Sequence, residues 1–488
     1  SDLAISIANK LNHILVDEFQ DTSLSQLELL KKLTIGWDEH DKKSLFLVGD
    51  PMQSIYKFRQ ADVAIFLSLM GGDLGNIKLN HLSLTVNFRS TNKIVSWVNS
   101  LFSKLFSQNY IPHSGQVMFS NATAHSQDKS GGVDFNITLN SDDNYQHELI
   151  AIKIKQLLAT KASIAILVRS RNHLNALSPL LDKHQIPYIQ EDIIPLAKLQ
   201  IAIDIAHLYL ALTNFSNKIS WLSLLASPLC GLQYKSIHAI ASNAKSLTIW
   251  EAIEQDNNLP EDENNRLKHF LSIIAYALTT KGSINNALWL ESTWILLGGP
   301  NFTDSESNAN SISKLFNNLF AMENNIPTTW PEWQQLLSKR YIANNISSNT
   351  TVTIMTIHKA KGLEFDHVFL PSFNKKPPPH RSSLLNWSLS LAKNNDLIIS
   401  PIASDNNNKS EINNYLNYIA KLQNINEDIR VLYVAATRAK KHLYIYANAK
   451  SDNENNIIIS NNNSFMHLTW AYLESNKNHN LNYFENCS

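Results

Sequence analysis

Asp17 and Glu18 stand side by side at the end of an apolar run, His13-Ile14-Leu15-Val16, with Phe19, Gln20 and Asp21 following. Such an aliphatic run predicts a strand buried on both faces of a parallel sheet. Acids at the carboxyl end of that strand lie where open α/β sheets bind ligands. One such Asp can hold Mg²⁺ against a phosphate, and a second carboxylate can take a proton from an attacking water. For two acids taken alone, the other reading is a strand ending in a solvated turn. Residues downstream decide between the two.

Further along the chain, 23–34 has apolar positions at Leu24, Leu27, Leu29, Leu30 and Leu33 behind a Ser start signal, which predicts a helix. A second apolar strand, Leu45 to Val48, runs into Gly49-Asp50-Pro51, completing a parallel βαβ unit. Gln53, at this strand end, is placed to sense a γ-phosphate or its attacking water. Tyr56, Phe58 and Arg59 interleave aromatic and basic character; the two rings either pack in a core or stack unpaired bases, at about 1–3 kcal/mol per base. Residues 82–90 predict a strand ending in Phe88-Arg89-Ser90, then a helix with its stripe at Ile94, Val95, Val98, Leu101, Phe102 and Leu105. Arg89 thus sits at a strand-to-helix junction, a usual place for a residue that reaches phosphate. Residues 108–130 read as a loop.

From 131 to 197 strands and helices alternate again, and from 199 to 342 strand signals nearly vanish, which predicts an inserted all-helical domain. Strands return at Val352–Thr356, leading to His358, Lys359, Lys361, Gly362 and Glu364, and at 367–371. A proline-rich loop, KKPPPHRSS, and an Asn- and Asp-rich stretch around a helix with Tyr415 and Tyr418 follow. Residues 428–447 predict a helix carrying Arg438 into a closing strand at Leu443–Tyr446. The Asn-rich tail reads as loosely ordered up to a short helix near Phe465–Leu473.

Composition narrows the function classes. The chain has 488 residues, 44% hydrophobic and 17% charged, with 42 basic against 42 acidic residues. Net charge therefore gives no support for a nucleic-acid partner, and any basic track must be local. Cys230 and Cys487 lack metal-ligand spacing, which argues against a disulfide scaffold or zinc site and fits a reducing cytoplasm. No apolar run approaches the roughly 18 residues of a membrane span. The chain opens SDLAISIANKL, without Met, and reaches a strand at His13, so we expect that residues belonging before Ser1 are missing.

The strings DEFQDT, VGDPMQSIYKFRQA, LTVNFRS, TIMTIHKAKGLEF and LYVAATRAKKHL occur in this order. They resemble motifs II to VI of the UvrD/Rep DNA helicases of superfamily 1, in wording closest to the RecB/AddA-like branch, over residues 11–447. The resemblance implies an α/β fold with RecA-like parallel-sheet motor domains, 1A in part and 2A, around an inserted helical 2B domain. Its boundaries would be 1–84 (1A, motifs II and III), 85–198 (2A, first part), 199–345 (2B), 346–450 (2A, second part) and a tail, 451–488. It implies ATP and Mg²⁺ as cofactors. Asp17 would bind the metal and Glu18 activate water, with Gln53 on the γ-phosphate and Arg89 and Arg438 as arginine fingers. Phe88 would pack on adenine, Glu364 contact the ribose, and Gly362 allow close backbone approach. Tyr56, Phe58, Arg59, Thr356 and His358 would meet single-stranded DNA; for Thr356 and His358 the other reading is that they hold the loop.

The activity so implied is ATP-dependent, 3′ to 5′ travel on DNA in repair and recombination. One departure stands out: the family's phosphate cradle is G-x-x-x-x-G-K-[ST], and no Gly-Lys pair occurs in this sequence. We expect the chain alone to be inactive and to need a P-loop segment as partner. A nuclease domain or subunit is a further expected partner of this branch. The alternatives are a helicase-like scaffold that binds DNA or protein without turnover, and a piece of a helicase–nuclease.

Overall fold

The computed structural model describes residues 11–37, 42–106, 114–126, 128, 130–170, 177–190, 195–244, 248–255, 259–303, 306–322, 325–340, 351–377, 385–390, 396–401, 411–451, 457–459, 461, 463–475 and 480–485. The chain divides into two compact units, Ser1–Tyr188 with Thr351–Ser488, and Ile189–Thr350.

In the first unit β1 (His13–Val16) pairs in parallel with β2 (Ser44–Leu47), Leu15 opposite Phe46, and α1 (Leu24–Leu33) connects them. The start signal of α1 is a capping box. Gln26 N–H donates to Ser23 Oγ at 3.4 Å, and Ser23 N–H donates to Gln26 Oε1 at 2.8 Å, satisfying donors that the first turn leaves free. Phe19, Leu27, Leu30, Ile65 of α2 (Val63–Leu69) and Leu74 form a core against Ile14, Val16, Leu45 and Leu47. The opposite face is bare: Leu15 is 69% and Phe46 58% exposed. Burial of this strand on both faces is therefore a corrected expectation, because the described helices cover one face of a two-stranded sheet.

After the short antiparallel pair β3 (Asp73–Leu74) and β4 (Ile77–Lys78) the chain runs extended. Only Val86–Asn87 (β5) of the expected strand 82–90 finds a partner, β6 (Thr123–Ala124), which itself interrupts the expected loop. Leu82 and Leu84 are left almost wholly exposed. α3 (Asn92–Leu105) buries Ile94, Val95, Val98, Leu101 and Phe102 at the predicted helical spacing, with Trp97 added.

β7 (Gly132–Leu139), β8 (Ile164–Val168), β10 (Val352–Thr356), β11 (Phe365–Leu370), β14 (Ala439–Ser451) and β16 (Asn480–Glu485) form one parallel run in the order β16–β7–β14–β11–β8–β10. β8 is buried at every residue, as a central parallel strand covered on both faces must be. α4 (Asp143–Leu158) follows β7, and α5 (Leu177–Lys183) and β9 (Tyr188–Gln190) follow β8. The sheet's Phe135, Leu167, Met355, Val368 and Leu443 share a core with α3 and with Leu432, Val434 and Ala435 of α14 (Glu411–Ala436).

Three further expectations change here. A hairpin, β12 (Leu385–Ser390) with β13 (Asp396–Pro401), follows the proline-rich loop and runs into the Asn-rich stretch, and α14 is one continuous helix that carries Tyr415 and Tyr418 exposed. Arg438 lies past the end of α14, not on it, and the closing strand begins at once, at Ala439. In the tail the expected short helix is present as α15 (Phe465–Ser475), which buries Phe465, Met466, Tyr472 and Leu473, while β15 (Ile457–Ile458) pairs with β14 and β16 adds an edge strand beside β7, two strands not expected there; residues 452–456 lie outside the described residues. Most of the proline-rich loop and the NENN tract lie outside the described residues.

The second unit holds α6 (Gln200–Thr213), α7 (Lys218–Ala226), α8 (Tyr234–Asn243), α9 (Ile249–Ile253), α10 (Glu261–Thr279), α11 (Asn286–Leu296), α12 (Glu306–Ala321) and α13 (Trp330–Ser338). Between 199 and 342 the described residues include no strand. Trp221, Trp289 and Trp333 are buried in its core. Among the described residues no helix is long and apolar enough to cross a membrane.

Candidate functional site

Every site residue expected from the sequence lies in the first unit. β1 ends in a sharp turn. Glu18 adopts a left-handed conformation, φ 52°, uncommon for a residue with a Cβ, and its N–H donates to Asp17 Oδ1 at 2.8 Å. The turn sends Phe19 and Gln20 into the interior and leaves both acids exposed. Lys361, 5% exposed at its side chain, reaches Glu18 Oε2 at 2.8 Å and also pairs with Asp21. Burial nevertheless raises the Asp21 carboxyl above its ordinary value, with Lys361 working against that rise.

Past β2, Asp50 caps the short helix Pro51–Gln53 by accepting from Met52 N–H at 2.9 Å. Gln53 Nε2 donates to Asp50 Oδ2 at 2.8 Å, and Arg438 Nη2 donates to Gln53 Oε1 at 3.1 Å. Burial pushes the Asp50 carboxyl up. Arg438 itself is 1% exposed and also donates to the carbonyls of Val434 and Leu363. Desolvation, and after it Arg89, lowers its guanidinium to about 10, while Glu18 and Asp50 pull the other way. Acids from the β1–β2 end and cations from 89 and 438 thus share one electrostatic neighbourhood.

Arg89 is presented by an Asn turn, in which Arg89 and Ser90 N–H donate to Asn87 Oδ1 at 3.0 and 2.9 Å. Ser90 Oγ donates to the Ala439 carbonyl at 2.7 Å and Thr91 N–H to that of Lys440 at 2.9 Å, which fixes the start of α3 on β14. Arg89 Nε donates to Glu364 Oε2 at 2.9 Å and Lys440 Nζ to Glu364 Oε1 at 2.7 Å. Those bonds, Lys440 first, hold the Glu364 carboxyl below its ordinary value. Phe88 is 73% exposed, with His125 against its ring at 4.7 Å between centroids. Gly362 has φ +82°, and a Cβ built there meets nothing within 4 Å. Its backbone angle is what demands glycine within the chain.

Tyr56, Phe58, Arg59 and His358 form a second cluster. Tyr56 Oη donates to the His358 carbonyl at 3.1 Å, Phe58 meets the His358 ring edge-on at 5.4 Å, and the Arg59 guanidinium lies 5.0 Å from the Tyr56 ring centre. Tyr56 is half-buried and packs on the core, whereas Phe58 is 66% exposed, so the two rings divide between the two readings. Burial lowers the His358 imidazole below its ordinary value. Thr356 is the last residue of β10; its carbonyl accepts from Lys359 and Ala360 N–H and closes the loop. It takes no part in the ring cluster.

Sequence reasoning missed Gln20, Asp50, Lys361, Lys440 and Arg430. The first four stand inside or beside the quoted motifs, and adjacency to Glu18, Gln53, Gly362 and Arg438 was the available signal. Arg430 is 4% exposed and donates to the Ser54 carbonyl at 2.6 Å and to that of Gly115. Desolvation lowers its guanidinium to about 10.

The chain belongs to the UvrD-like helicases: the UvrD-like helicase C-terminal domain matches residues 82–450 and the UvrD/REP helicase N-terminal domain residues 1–71. Within that family it is similar to an ATP-dependent helicase/nuclease subunit of Lactococcus lactis subsp. lactis (strain IL1403), 26% identical over 521 residues, covering 92% of this chain and 41% of the relative. The protein of the same name from Lactobacillus acidophilus is 27% identical over 497 residues, with 90% and 39% covered. The Exonuclease/helicase subunit RexA of Lactococcus lactis subsp. cremoris (strain MG1363) is 25% identical over 517 residues, with 92% and 41% covered. The chain therefore spans about two fifths of the length of the curated relatives it matches. The resemblance carried by the five motifs, RecB/AddA-like branch included, holds.

Proposed function

We propose that this chain carries the hydrolytic acids, the phosphate-sensing groups and the DNA grip of an ATP-dependent DNA translocase of repair and recombination, acting in the cytoplasm and moving 3′ to 5′. The observation that carries the reading is the line of hydrogen bonds from Glu18 through Gln20, Asp50 and Gln53 to Arg438. It ties the acids at one strand end to a guanidinium far along the sequence. Asp17 fits a magnesium ion. Its carboxylate is exposed at a strand end, only Oδ1 is engaged among the described residues, and Mg²⁺ takes one or two carboxylates alongside phosphate and water. When bound, the ion neutralises charge on the phosphates.

Glu18 takes the proton of the attacking water once Lys361 gives up its carboxylate. Gln53 senses the γ-phosphate, and Arg89 and Arg438 stabilise charge on the transferred phosphoryl group after exchanging their present partners for it. Phe88 stacks on adenine, Glu364 holds the ribose, and Gly362 lets the backbone come close. Phe58 and Arg59, backed by Tyr56, Thr356 and His358, grip single-stranded DNA. Gln53 lies three residues before Tyr56, so a change at the phosphate moves the DNA cluster directly.

We assign the phosphate cradle to polypeptide outside these residues, since they contain no Gly-Lys pair. The bare face of Leu15 and Phe46, and the exposed Leu82 and Leu84, support packing of that segment on the β1–β2 layer. We also infer that a nuclease domain or subunit works with the complete protein. The test is ATP turnover with and without single-stranded DNA, by the chain alone and with a segment bearing the cradle. DNA-stimulated turnover is expected only with the cradle. Turnover by the pure chain overturns the cradle assignment. Its absence in both cases, with DNA still bound, favours the scaffold.

A further inference from the structure

Gln20 is 1% exposed, yet its side chain makes two directed hydrogen bonds. Nε2 donates to Glu18 Oε2 at 2.6 Å, and Oε1 accepts from Asp50 N–H at 3.1 Å. The amide cannot be turned round: a carboxylate only accepts and a backbone N–H only donates, so the two partners fix nitrogen and oxygen. The Gln20 carbonyl accepts from Ser54 Oγ at 3.0 Å, and the Ser54 carbonyl accepts from Arg430. One residue thus joins the end of β1, the end of β2 and the segment that begins beside Gln53.

Gly49 makes room for this arrangement. A Cβ there would stand 2.3 Å from Gln20 Oε1, and Gly49 is not among the glycines with positive φ. A Cβ would also stand 3.1 Å from the Gln20 backbone nitrogen and 3.2 Å from the Phe66 ring, so space around Gln20, its amide foremost, and not backbone angle is what this position requires. Packing alone would be served by leucine at 20. The amide is needed because it faces an acceptor on one side and a donor on the other.

We propose that Gln20 is the positioning residue of the hydrolytic carboxylate, resting on the reading of Glu18 as the base. Gln20 and Lys361 hold the same oxygen, Glu18 Oε2, and Oε1 makes no hydrogen bond among the described residues. When Lys361 leaves, Gln20 alone keeps Oε2 in place and presents Oε1 to water. Through Asp50, whose carboxylate accepts from Gln53, it also keeps the base in register with the phosphate sensor.

The test uses the complete ATPase, this chain together with its phosphate cradle, at saturating single-stranded DNA. E18Q comes first: if wild type shows no turnover, or E18Q keeps it, the functional reading falls and this proposal with it. Given loss in E18Q, Q20L is expected to lower kcat about 10- to 100-fold, as loss of one aligning contact in a catalytic constellation does, with little change in KM for ATP. G49A, whose Cβ collides first with the Gln20 amide and more mildly with the Gln20 backbone and Phe66, is expected to give the same kcat-selective loss. The double variant Q20L/G49A should be no slower than the slower single, because both act through one contact. Unchanged kcat in Q20L, a loss borne by KM instead, or losses that multiply would overturn the proposal.

Discussion

Replacing Lys361 with methionine removes one charge and keeps most of the hydrocarbon stem, which isolates the electrostatic part of a two-acid contact. The Glu18 arm contributes little, because that side chain is 52% exposed and water screens it. The Asp21 arm decides the outcome: its side chain is 16% exposed, and burial already raises its carboxyl above 3.8. Stranding a fully buried charge costs about 3–5 kcal/mol; for this partly buried one we expect about 2 kcal/mol near neutral pH. Removing the cation raises the Asp21 carboxyl further. A raised carboxyl contributes stability below its unfolded value and loses it as pH rises through the folded one. The penalty of K361M is therefore largest near pH 7 and shrinks toward pH 5, and in a D21N background most of it disappears. Denaturant-dependent hydrogen exchange at the amides of β8 and β14 reads this unit separately from the helical one. Equal penalties at both pH values, or no relief from D21N, would refute the reasoning.

Other consequences are more direct. R430M removes the donor to the carbonyls of Ser54 and Gly115 and takes from Glu427 the stronger of two nearby cations, Lys57 remaining; it should destabilise this unit by about 3 kcal/mol in the same exchange measurement. His147 is 1% exposed, neither ring nitrogen has a hydrogen-bond partner among the described residues, and burial lowers its imidazole below 6.5. A lowered imidazole contributes stability above its unfolded value and loses it as pH falls toward the folded one. Urea melts should therefore show wild type losing about 1 kcal/mol relative to H147L between pH 7.5 and 5.5. F58A should weaken binding of a labelled oligothymidine, followed by anisotropy, by about 5- to 160-fold, the value of one stacked base.

Much of the fold was legible because single segments declared it. The unbroken aliphatic run of β8 and the stripe of α3 needed only local periodicity. β16 was not legible, since Asn480–Glu485 is a strand only because β7 offers an open edge, and an Asn-rich composition argues the other way. The bare face of β1 was hidden for the same reason: Leu15 reads as core whether or not anything covers it. At the site, motif spelling located Asp17, Glu18, Arg89, Gly362, Glu364 and Arg438. It said nothing of who holds whom. Arg89 and Glu364, or Lys361 and Asp21, are hundreds of residues apart and meet only through the sheet order.

That acids from one strand end and guanidiniums from the other side serve a single nucleotide is tested most directly by the turnover of R438A in the complete ATPase. We predict a fall in kcat of about 100-fold or more, as for loss of one charge-stabilising donor, with single-stranded DNA affinity nearly unchanged. Turnover close to wild type would contradict the account.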